Sequence, residues 1–387
     1  MAHNGSGLTL SERDRRYSAI RERLHERGAD CVIVTGSNLF YLSNGLPGEH
    51  YGLLTTDELP FTVQLNGRHL ADIPASVIID AQDWVKDIRG AFGKTDLIFG
   101  RIKELHFEQA TIGLAGVSGV LPGGMSAGFV EALKKEFPSA KLVDVSDILA
   151  DTRTLKSDEE VGLIEKANIC FDLSCLALQS AVRPGMTGKE ATQVAVRAMW
   201  DAGGDLESTI GVNFGATPKQ NPILGDLCLS LPMQQGDIVT LTAHAEYKHY
   251  AGHSDQEISV GPPKQLHRDM FDAVLAVREE VLKAVKPGAT QNDLLEVYNK
   301  AAEKTGFSGS PHSQIHQYGI DVPEQPGPGF VKGPRNWVLT PGMMYSISPT
   351  LVAKDGEDLL LGGTSLVITR DGYRELGDRK VEILVAG

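Results

Sequence analysis

Residues 182–187 read VRPGMT and recur as VKPGAT at residues 285–290, and this repeat decides the fold of the C-terminal part of the chain. Each copy follows a long helical pattern, at roughly residues 158–181 and 265–284, and precedes a shorter one, at roughly residues 188–202 and 291–305. A threonine followed three residues later by an acidic residue is typical of a capping box, which satisfies free N–H groups where a helix begins. Two copies of helix, helix and strand predict a pseudo-twofold domain with its site between the halves.

A strand opening is repeated in the same way, as GDIVTLTA at residues 236–243 and GMMYSISP at residues 342–349. The first of these predicts a strand that turns into an antiparallel partner carrying His253, Asp255 and Glu257. Side chains alternate along a strand, so these three share one face. An imidazole beside a carboxylate suits general acid–base catalysis, whereas Glu257 fits an edge charge better.

The N-terminal half reads as alternating helices and strands, which predicts an α/β domain. Helices are expected at residues 11–27, 95–107 and 126–136, and strands at residues 30–35, 76–80, 109–114 and 141–145. We place the link near Thr152, which gives an N-terminal domain at residues 1–152 and a C-terminal domain at residues 153–387. The chain of 387 residues has room for both cores.

Composition limits the classes of partner. The net charge of −13 argues against nucleic acid and against an anionic membrane surface. No stretch of eighteen or more apolar residues is present, and the N-terminus lacks the apolar run of a signal peptide. Four scattered cysteines without C-x-x-C spacing indicate a reducing cytoplasm.

Several strings in the right order resemble the creatinase/prolidase/methionine-aminopeptidase family, whose C-terminal domain has the pita-bread fold. They are the strand openings described above together with RTLKSDEE at residues 153–160, IHQYGIDVPE at residues 315–324 and TPGMMYSISP at residues 340–349. NLFYLS at residues 38–43 is similar to part of the family's N-terminal domain. The resemblance implies an α/β (α+β) chain, with a creatinase-like N-terminal domain and a pseudo-twofold pita-bread domain.

The resemblance also identifies five positions where metallopeptidase members carry two aspartates, one histidine and two glutamates that bind two divalent ions. The matching residues here are Thr242, His253, His316, Ser348 and Gly363. Only His316 keeps the family's residue type. We therefore expect a creatinase-like member that uses no metal and no cofactor, a metal-independent hydrolase acting on a C–N bond of a small polar molecule.

The resemblance implies catalytic roles for His316, His253 and Asp255. Asp255 stands where creatinase has a catalytic glutamate, and Gln220 stands where creatinase has a catalytic histidine. Because glutamine cannot take a proton at neutral pH, the creatinase mechanism cannot apply without change. The expected substrate-binding residues are His244, Thr242, Ser348, His312, Arg335 and Tyr318.

Three alternatives stay open. The chain could be a non-catalytic binding protein on a peptidase fold, although a histidine at position 253 is not what simple decay leaves. The same imidazole–carboxylate pair could instead serve a lyase or decarboxylase by abstracting a proton. Either His312 or His316 could also join His253 in a three-histidine zinc site.

The expected partners are a small-molecule substrate and a second copy of the chain. In the family that the chain resembles, the N-terminal domain helps dimerisation and covers the site of the partner subunit. We expect the loop at residues 46–52, LPGEHYG, to lie there in a homodimer. Neither nucleic acid nor a membrane is expected as a partner.

Overall fold

The computed structural model describes residues 7–45, 51–65, 83–90, 97–117, 124–205, 230–310, 314–321, 336–354 and 359–387. This part of the chain divides into two compact units, one ending at Thr154 and the other beginning at Leu155. Among the described residues, no helix has both the length and the apolar character needed to cross a membrane. The predicted strand at residues 76–80 lies outside the described residues.

The first unit is a mixed α/β arrangement, as the alternating pattern predicts. Its helices are α1 (Leu10–Arg27), α2 (Gly36–Ser43), α3 (Leu97–Glu104), α4 (Ala127–Glu136) and α5 (Ser146–Thr154). Its strands are β1 (Cys31–Val34), β2 (Tyr51–Thr55), β3 (Thr62–Leu65), β4 (Asp87–Gly90), β5 (Thr111–Ala115) and β6 (Lys141–Asp144). They form one six-stranded sheet in the order β4-β3-β2-β1-β5-β6.

Strand β1 lies inside this sheet and is apolar over its whole length, as a buried strand should be. It pairs parallel to β5 and antiparallel to β2. Leu133 of α4 and Ile102 of α3 pack against this layer in one hydrophobic cluster with Cys31 and Ile33. The N-terminal α/β prediction is therefore confirmed in class, within the residues that the structure describes.

The described part of the second unit contains two pairs of helices and three small sheets. Its helices are α6 (Asp158–Ala181), α7 (Gly188–Asp201), α8 (Gln265–Ala284) and α9 (Gln291–Ala302). Its strands are β7 (Ile238–Tyr247), β8 (Tyr250–Val260), β9 (Ser308–Gly309), β10 (Gln314–Gln317), β11 (Met344–Ser348), β12 (Thr350–Val352), β13 (Leu359–Leu361), β14 (Thr364–Ile368), β15 (Tyr373–Leu376) and β16 (Leu384–Ala386). The sheet orders are β16-β8-β7, β10-β11-β14-β15 and β13-β12-β9.

The repeated VxPGxT motif makes the same local structure twice. Thr187 and Thr290 each cap the following helix, and both capping boxes are complete, with Glu190 and Asp293 as the acidic partners. Each threonine also makes an isolated β-bridge to a distant segment, to Pro232 or to Val338. The predicted pseudo-twofold repeat is therefore present in the backbone as well as in the sequence.

The glycine in each copy of the motif has a conformational reason. Gly185 and Gly288 have φ angles of 87° and 86°, in the left-handed region that glycine adopts without steric cost. Their N–H groups donate to the carbonyls of Met233 at 2.8 Å and of Leu339 at 2.9 Å. Each motif thereby links the loop between two helices to the segment that precedes a strand.

Strands β7 and β8 form a long antiparallel hairpin that carries most of the site. Its two-residue turn places Lys248 and His249 at φ angles of 52° and 62°, which matches the type of turn favoured by the twist of a hairpin. The register sets Thr242 opposite Asp255 and His244 opposite His253. A slip of one residue would turn all of these side chains to the other face of the sheet.

Helix α6 packs directly on β8 at Gly252. A Cβ built at Gly252 would lie 2.5 Å from the carbonyl carbon of Ala167 and 2.9 Å from the Cα of Asn168. Because those atoms belong to the helix backbone, they cannot move aside by changing a rotamer. The position therefore accepts no side chain, and it fixes how closely the helix approaches the strand.

We predict that Gly252→Ala destabilises the protein by at least about 3 kcal/mol, at or above the upper end of the usual range for overpacking, because the methyl group meets backbone. Chemical unfolding monitored by circular dichroism measures this change. The matched control is Gly162→Ala in the same helix, where a Cβ meets nothing within 4 Å. That change should be neutral or stabilising by up to about 1 kcal/mol, and equal effects of the two variants would contradict the packing argument.

Candidate functional site

The carboxylate of Asp255 is the centre of the candidate site, and it is held from two different strands. Thr242 on β7 donates from Oγ1 to Asp255 Oδ1 at 2.7 Å. Ser348 at the end of β11 donates from Oγ to Asp255 Oδ2. All three residues are buried, with Asp255 only 1% exposed. The β7–β8 hairpin and the β11 strand therefore converge on one carboxylate.

Gly363 closes the third side of this carboxylate. A Cβ at this position would lie 2.5 Å from Asp255 Oδ2 and 2.5 Å from Ser348 Oγ. No side chain fits there while Asp255 and Ser348 keep their positions. The carboxylate of Asp255 thus fills the space into which a side chain at position 363 would begin.

Three imidazoles lie next to one another beside this carboxylate. The rings of His253 and His316 stack with centroids 5.1 Å apart and an interplanar angle of 30°. His244, opposite His253 in the hairpin, meets the His253 ring edge-on with centroids 4.6 Å apart. The alternation of side chains along β7 and β8 places Thr242 with His244, and His253 with Asp255, on the same face.

The imidazole of His316 is held in one orientation by its own strand. Its Nδ1 lies 3.1 Å from the carbonyl oxygen of Gln317. Since a carbonyl can only accept, Nδ1 carries the proton and Nε2 keeps its lone pair. Burial is the main cause that lowers the pKa of His316 to about 3, and the neighbouring His253 acts in the same direction. The ring is therefore neutral at physiological pH.

His244 is also kept neutral by its surroundings. Burial is the main cause that lowers the pKa of His244 well below its usual value of 6.5, and the charges that His253 and His316 could carry act in the same direction. A cluster of close imidazoles resists protonation of its members because each added proton repels the next. His244 and His316 therefore offer hydrogen-bond acceptors at neutral pH.

Tyr318 closes the apolar side of the histidine cluster. Its ring lies 6.2 Å from the ring of His253 in an edge-on arrangement, and the residue is fully buried. Its hydroxyl has no partner at hydrogen-bonding geometry among the described residues. Burial raises the pKa of Tyr318, an effect that the nearby Ser365 and Asn168 only partly offset. The hydroxyl therefore stays protonated as a potential donor.

Arg379 connects the backbone segments that flank the site, and no pattern in the sequence indicates this role. Its Nη2 donates to Ser254 Oγ at 2.9 Å and to the carbonyl oxygens of Asp255 at 3.0 Å and Gly363 at 3.3 Å. Asp172 on α6 forms an ion pair with it at 3.3 Å. One guanidinium thus fixes both chain segments that flank the Asp255 carboxylate.

Ser365 is a second supporting residue that the sequence analysis missed. Its hydroxyl donates to the backbone carbonyl of His253. Ser254 makes a similar cross-strand bond, from its hydroxyl to the carbonyl of Gly363 at 3.1 Å. A pattern-based signal existed for Ser365, since it lies two residues after Gly363 and is the second residue of β14. These bonds hold β14 against the histidine-bearing strand.

Comparison with known proteins gives the family. Residues 162–374 match the model of metallopeptidase family M24, and residues 16–155 match the creatinase/prolidase N-terminal domain. The chain belongs to metallopeptidase family M24. Its second unit accordingly has the pita-bread fold, and the expected mixed α/β fold class is confirmed.

Individual relatives agree with this placement. An Xaa-Pro dipeptidase of Pyrococcus horikoshii is 24% identical over 94% of this chain and 97% of the relative. A creatinase of a Bacillus species is 25% identical over 90% of this chain and 86% of the relative. The solved structure of an Xaa-Pro dipeptidase from Bacillus anthracis superposes with a TM-score of 0.80 at 20% identity, over 96% of this chain and 99% of that one.

The expected metal-independent, creatinase-like hydrolase is contradicted by these findings. The matching family is one of metallopeptidases, and several of the relatives are Xaa-Pro dipeptidases. The expectation relied on the residue changes at four of the five ligand positions and took these changes as evidence about the reaction. What the comparisons support is the coarser statement that the family's members are hydrolases of C–N bonds in peptides.

The side chains at the five positions do not fit the family's carboxylate-bridged metal pair. The hydroxyls of Thr242 and Ser348 are engaged with Asp255, and Gly363 has no side chain. Among the described residues, the histidine cluster does not bring three ligand atoms within 4.8 Å of one another, so the alternative three-histidine site is not preformed there. The family's chemistry and the donor set of this chain therefore disagree.

The structure brings together seven of the nine residues singled out from the sequence. Asp255, Thr242 and Ser348 meet at the carboxylate, and the remaining four form the ring cluster of His253, His316, His244 and Tyr318. His312 and Arg335 lie outside the described residues, as does most of the loop at residues 46–52. The catalytic and substrate-binding roles stay predictions.

A second threonine–carboxylate pair lies two residues along the same hairpin. Thr240 donates to Glu257 Oε2 at 2.6 Å, and the N–H of Leu361 donates to Glu257 Oε1 at 2.9 Å. Glu257 is fully buried, and this burial raises its pKa from 4.5 to about 8 despite both bonds. Glu257 is therefore a sealed core carboxyl, not the edge charge that its position in the sequence indicates.

We predict that Glu257 makes the folded state less stable as the pH rises. Between pH 4.5 and about 8 the folded protein keeps a proton that the unfolded chain releases, so the free energy of unfolding falls as the pH rises through this window. Each pKa unit corresponds to about 1.4 kcal/mol, so the loss amounts to several kcal/mol. Glu257→Gln keeps an acceptor for the N–H of Leu361, can donate from its amide nitrogen to the Thr240 hydroxyl, and removes the titration.

Urea unfolding of wild type and Glu257→Gln at pH 5 and at pH 8.5 measures the effect. The difference between the two proteins should grow in favour of the variant as the pH rises. Other titrating groups, including His316, cancel in this comparison because they are common to both proteins. A difference that is independent of pH would show that Glu257 is ionised in the folded state.

Proposed function

We propose that this chain is a dipeptidase-like hydrolase that cleaves the C–N bond of a short peptide at the Asp255 site. The observation that carries the proposal is the convergence of Thr242, Ser348 and Gly363 on the Asp255 carboxylate, next to the stacked imidazoles. A site that had merely lost its function would not need a carboxylate fitted this closely. Membership of a peptidase family and the names of the relatives support the substrate class.

Peptide hydrolysis needs a base that takes a proton from water and an acid that returns one to the leaving nitrogen. In the proposed reaction, Asp255 accepts the proton from the attacking water as the oxygen bonds to the carbonyl carbon. His253, beside it on β8, delivers a proton to the amine as the C–N bond breaks. His316 offers its Nε2 lone pair to orient the water, since its low pKa makes it an acceptor of hydrogen bonds but a weak base.

The hydroxyls that hold Asp255 explain why this carboxylate has a defined direction. With Thr242 on Oδ1 and Ser348 on Oδ2, both oxygens have one donor, and rotation of the group would break both bonds. Orientation of the reacting group before the substrate arrives reduces the entropy lost in the transition state. Arg379 extends this restraint to the backbone on either side.

A panel of dipeptides, including Xaa-Pro dipeptides, tests the activity. Release of free amino acids should be measured after dialysis against a chelator and again with Mn²⁺, Co²⁺ or Zn²⁺ added. The assay then detects cleavage whether or not the reaction requires a metal ion. Cleavage of at least one dipeptide is the expected result. Binding of dipeptides without cleavage under every condition would favour a binding protein on this fold and would contradict the proposal.

We predict that Asp255→Asn lowers kcat by about two to four orders of magnitude, the usual contribution of a general base. The amide keeps the size of the carboxylate and one acceptor oxygen, so the fold should survive. The matched control is Glu257→Gln, which alters the neighbouring buried carboxyl of the same hairpin and should leave kcat unchanged. Equal losses in both variants would show that the effect is structural.

We also propose that the chain forms a homodimer. The resemblance to the creatinase family supports this, and so does a row of exposed apolar side chains on α6. Ile169, Leu173 and Leu176 lie on one face of that helix and are 47%, 44% and 54% exposed. Sedimentation should give twice the mass of the 41.7 kDa chain, and Leu173→Lys should shift the protein toward the monomer. A monomeric wild type at assay concentration would contradict this.

A further inference from the structure

The tip of the β7–β8 hairpin lies against the end of helix α7 and carries an unusual set of side chains. Gly203 and Gly204 follow the helix, with Gly203 at a φ of 92° and the N–H of Gly204 bonded to the carbonyl of Met199 at 2.9 Å. The chain then reaches Asp205, whose N–H donates to the carbonyl of Glu246 at 2.7 Å. The helix end is thereby attached to the last residues of strand β7.

The hairpin turn completes this junction from the other side. The N–H of His249 donates to Asp205 Oδ2 at 2.5 Å. Its left-handed φ of 62° is what turns this N–H toward the aspartate within a two-residue loop. Asp205, Glu246 and His249 thus come from three places in the sequence and meet at one point, where each is half-buried.

We propose that Asp205, Glu246 and His249 form a binding site for one divalent transition-metal ion. Among the described residues, they are the one set of three such side chains whose ligand atoms all lie within 4.8 Å of one another. Ligand atoms around a zinc ion are about 2.0–2.2 Å from the metal and so about 3–4 Å from each other. Small side-chain rotations at the half-buried tip bring the three atoms to that spacing.

The donor set favours Zn²⁺ or a neighbouring first-row ion over Ca²⁺ and Mg²⁺. Two carboxylates and one imidazole match the borderline ligand preference of zinc, while Ca²⁺ and Mg²⁺ prefer oxygen ligands alone. A dication would interact favourably with both carboxylates as well as with the imidazole. The bound ion would tie the hairpin that carries His253 and Asp255 to the end of α7.

This site is separate from the Asp255 site, and the inference does not depend on the proposed activity. Glu246 pairs with Ala251 at the tip, whereas Thr242 pairs with Asp255 farther along the hairpin. None of its three side chains is at one of the five positions where the family binds its metal pair. A metal bound at the tip would therefore be detected whether or not the chain cleaves peptides.

Isothermal titration of the full-length, chelator-treated protein with Zn²⁺ chloride tests the proposal. The wild type should bind one Zn²⁺ ion per chain at the hairpin tip. Asp205→Asn and Glu246→Gln keep side-chain size and remove a carboxylate, so each should weaken this binding by about tenfold or more. His249→Asn removes the imidazole, and asparagine tolerates the left-handed backbone of this turn.

The matched control is His106→Asn, because His106 is an exposed histidine with a φ of 58° in the other unit of the chain. It should bind Zn²⁺ like the wild type. Thermal unfolding gives a second readout, since Zn²⁺ should raise the Tm of wild type and His106→Asn but not that of the three tip variants. Wild-type binding in all three tip variants, or no binding by the wild type, would overturn the proposal.

Discussion

The pairing of Thr242 with Asp255 across the β7–β8 hairpin is the constraint on which the site depends. This register directs the carboxylate to the point where Ser348 donates to it and where Gly363 leaves room for it. A one-residue slip would turn Asp255 toward the helices and His253 away from His316. The tight packing of α6 on Gly252 and the bonds of Arg379 both act on β8, so they hold the strand in the register that the site requires.

The same hairpin carries two carboxyl groups, Asp255 and Glu257, whose surroundings give them different roles. Thr240 with Glu257 repeats the arrangement of Thr242 with Asp255, two residues along each strand. The second contact differs: Glu257 receives a backbone N–H from Leu361, whereas Asp255 receives a side-chain hydroxyl and lies beside the imidazoles. Glu257 therefore serves as a protonated core group, whereas Asp255 lies beside the histidine cluster.

Local patterns predicted the parts of this structure that local interactions determine. The helices at Asp158–Ala181 and Gln265–Ala284 lie where apolar spacing places them, and those at Gly188–Asp201 and Gln291–Ala302 begin at the predicted threonine caps, because these signals act within a few residues. The hairpin face shared by His253 and Asp255 follows from the alternation of a strand in the same way. Arg379 and Gly363 act across more than a hundred residues of chain, on partners that no local pattern specifies.

The family binds metal ions, but the residues of this chain at the metal-ligand positions do not provide the ligands for them. These residue changes are connected in the structure. Thr242, Ser348 and Gly363 occupy three of the five positions where the family binds metal, and all three contact the same carboxylate. The glycine is required by that carboxylate, since any larger residue at position 363 would displace Asp255 or Ser348. The changes are therefore coupled through one packed group, and restoring a single glutamate at Gly363 would disrupt the present arrangement before it could recreate a metal ligand.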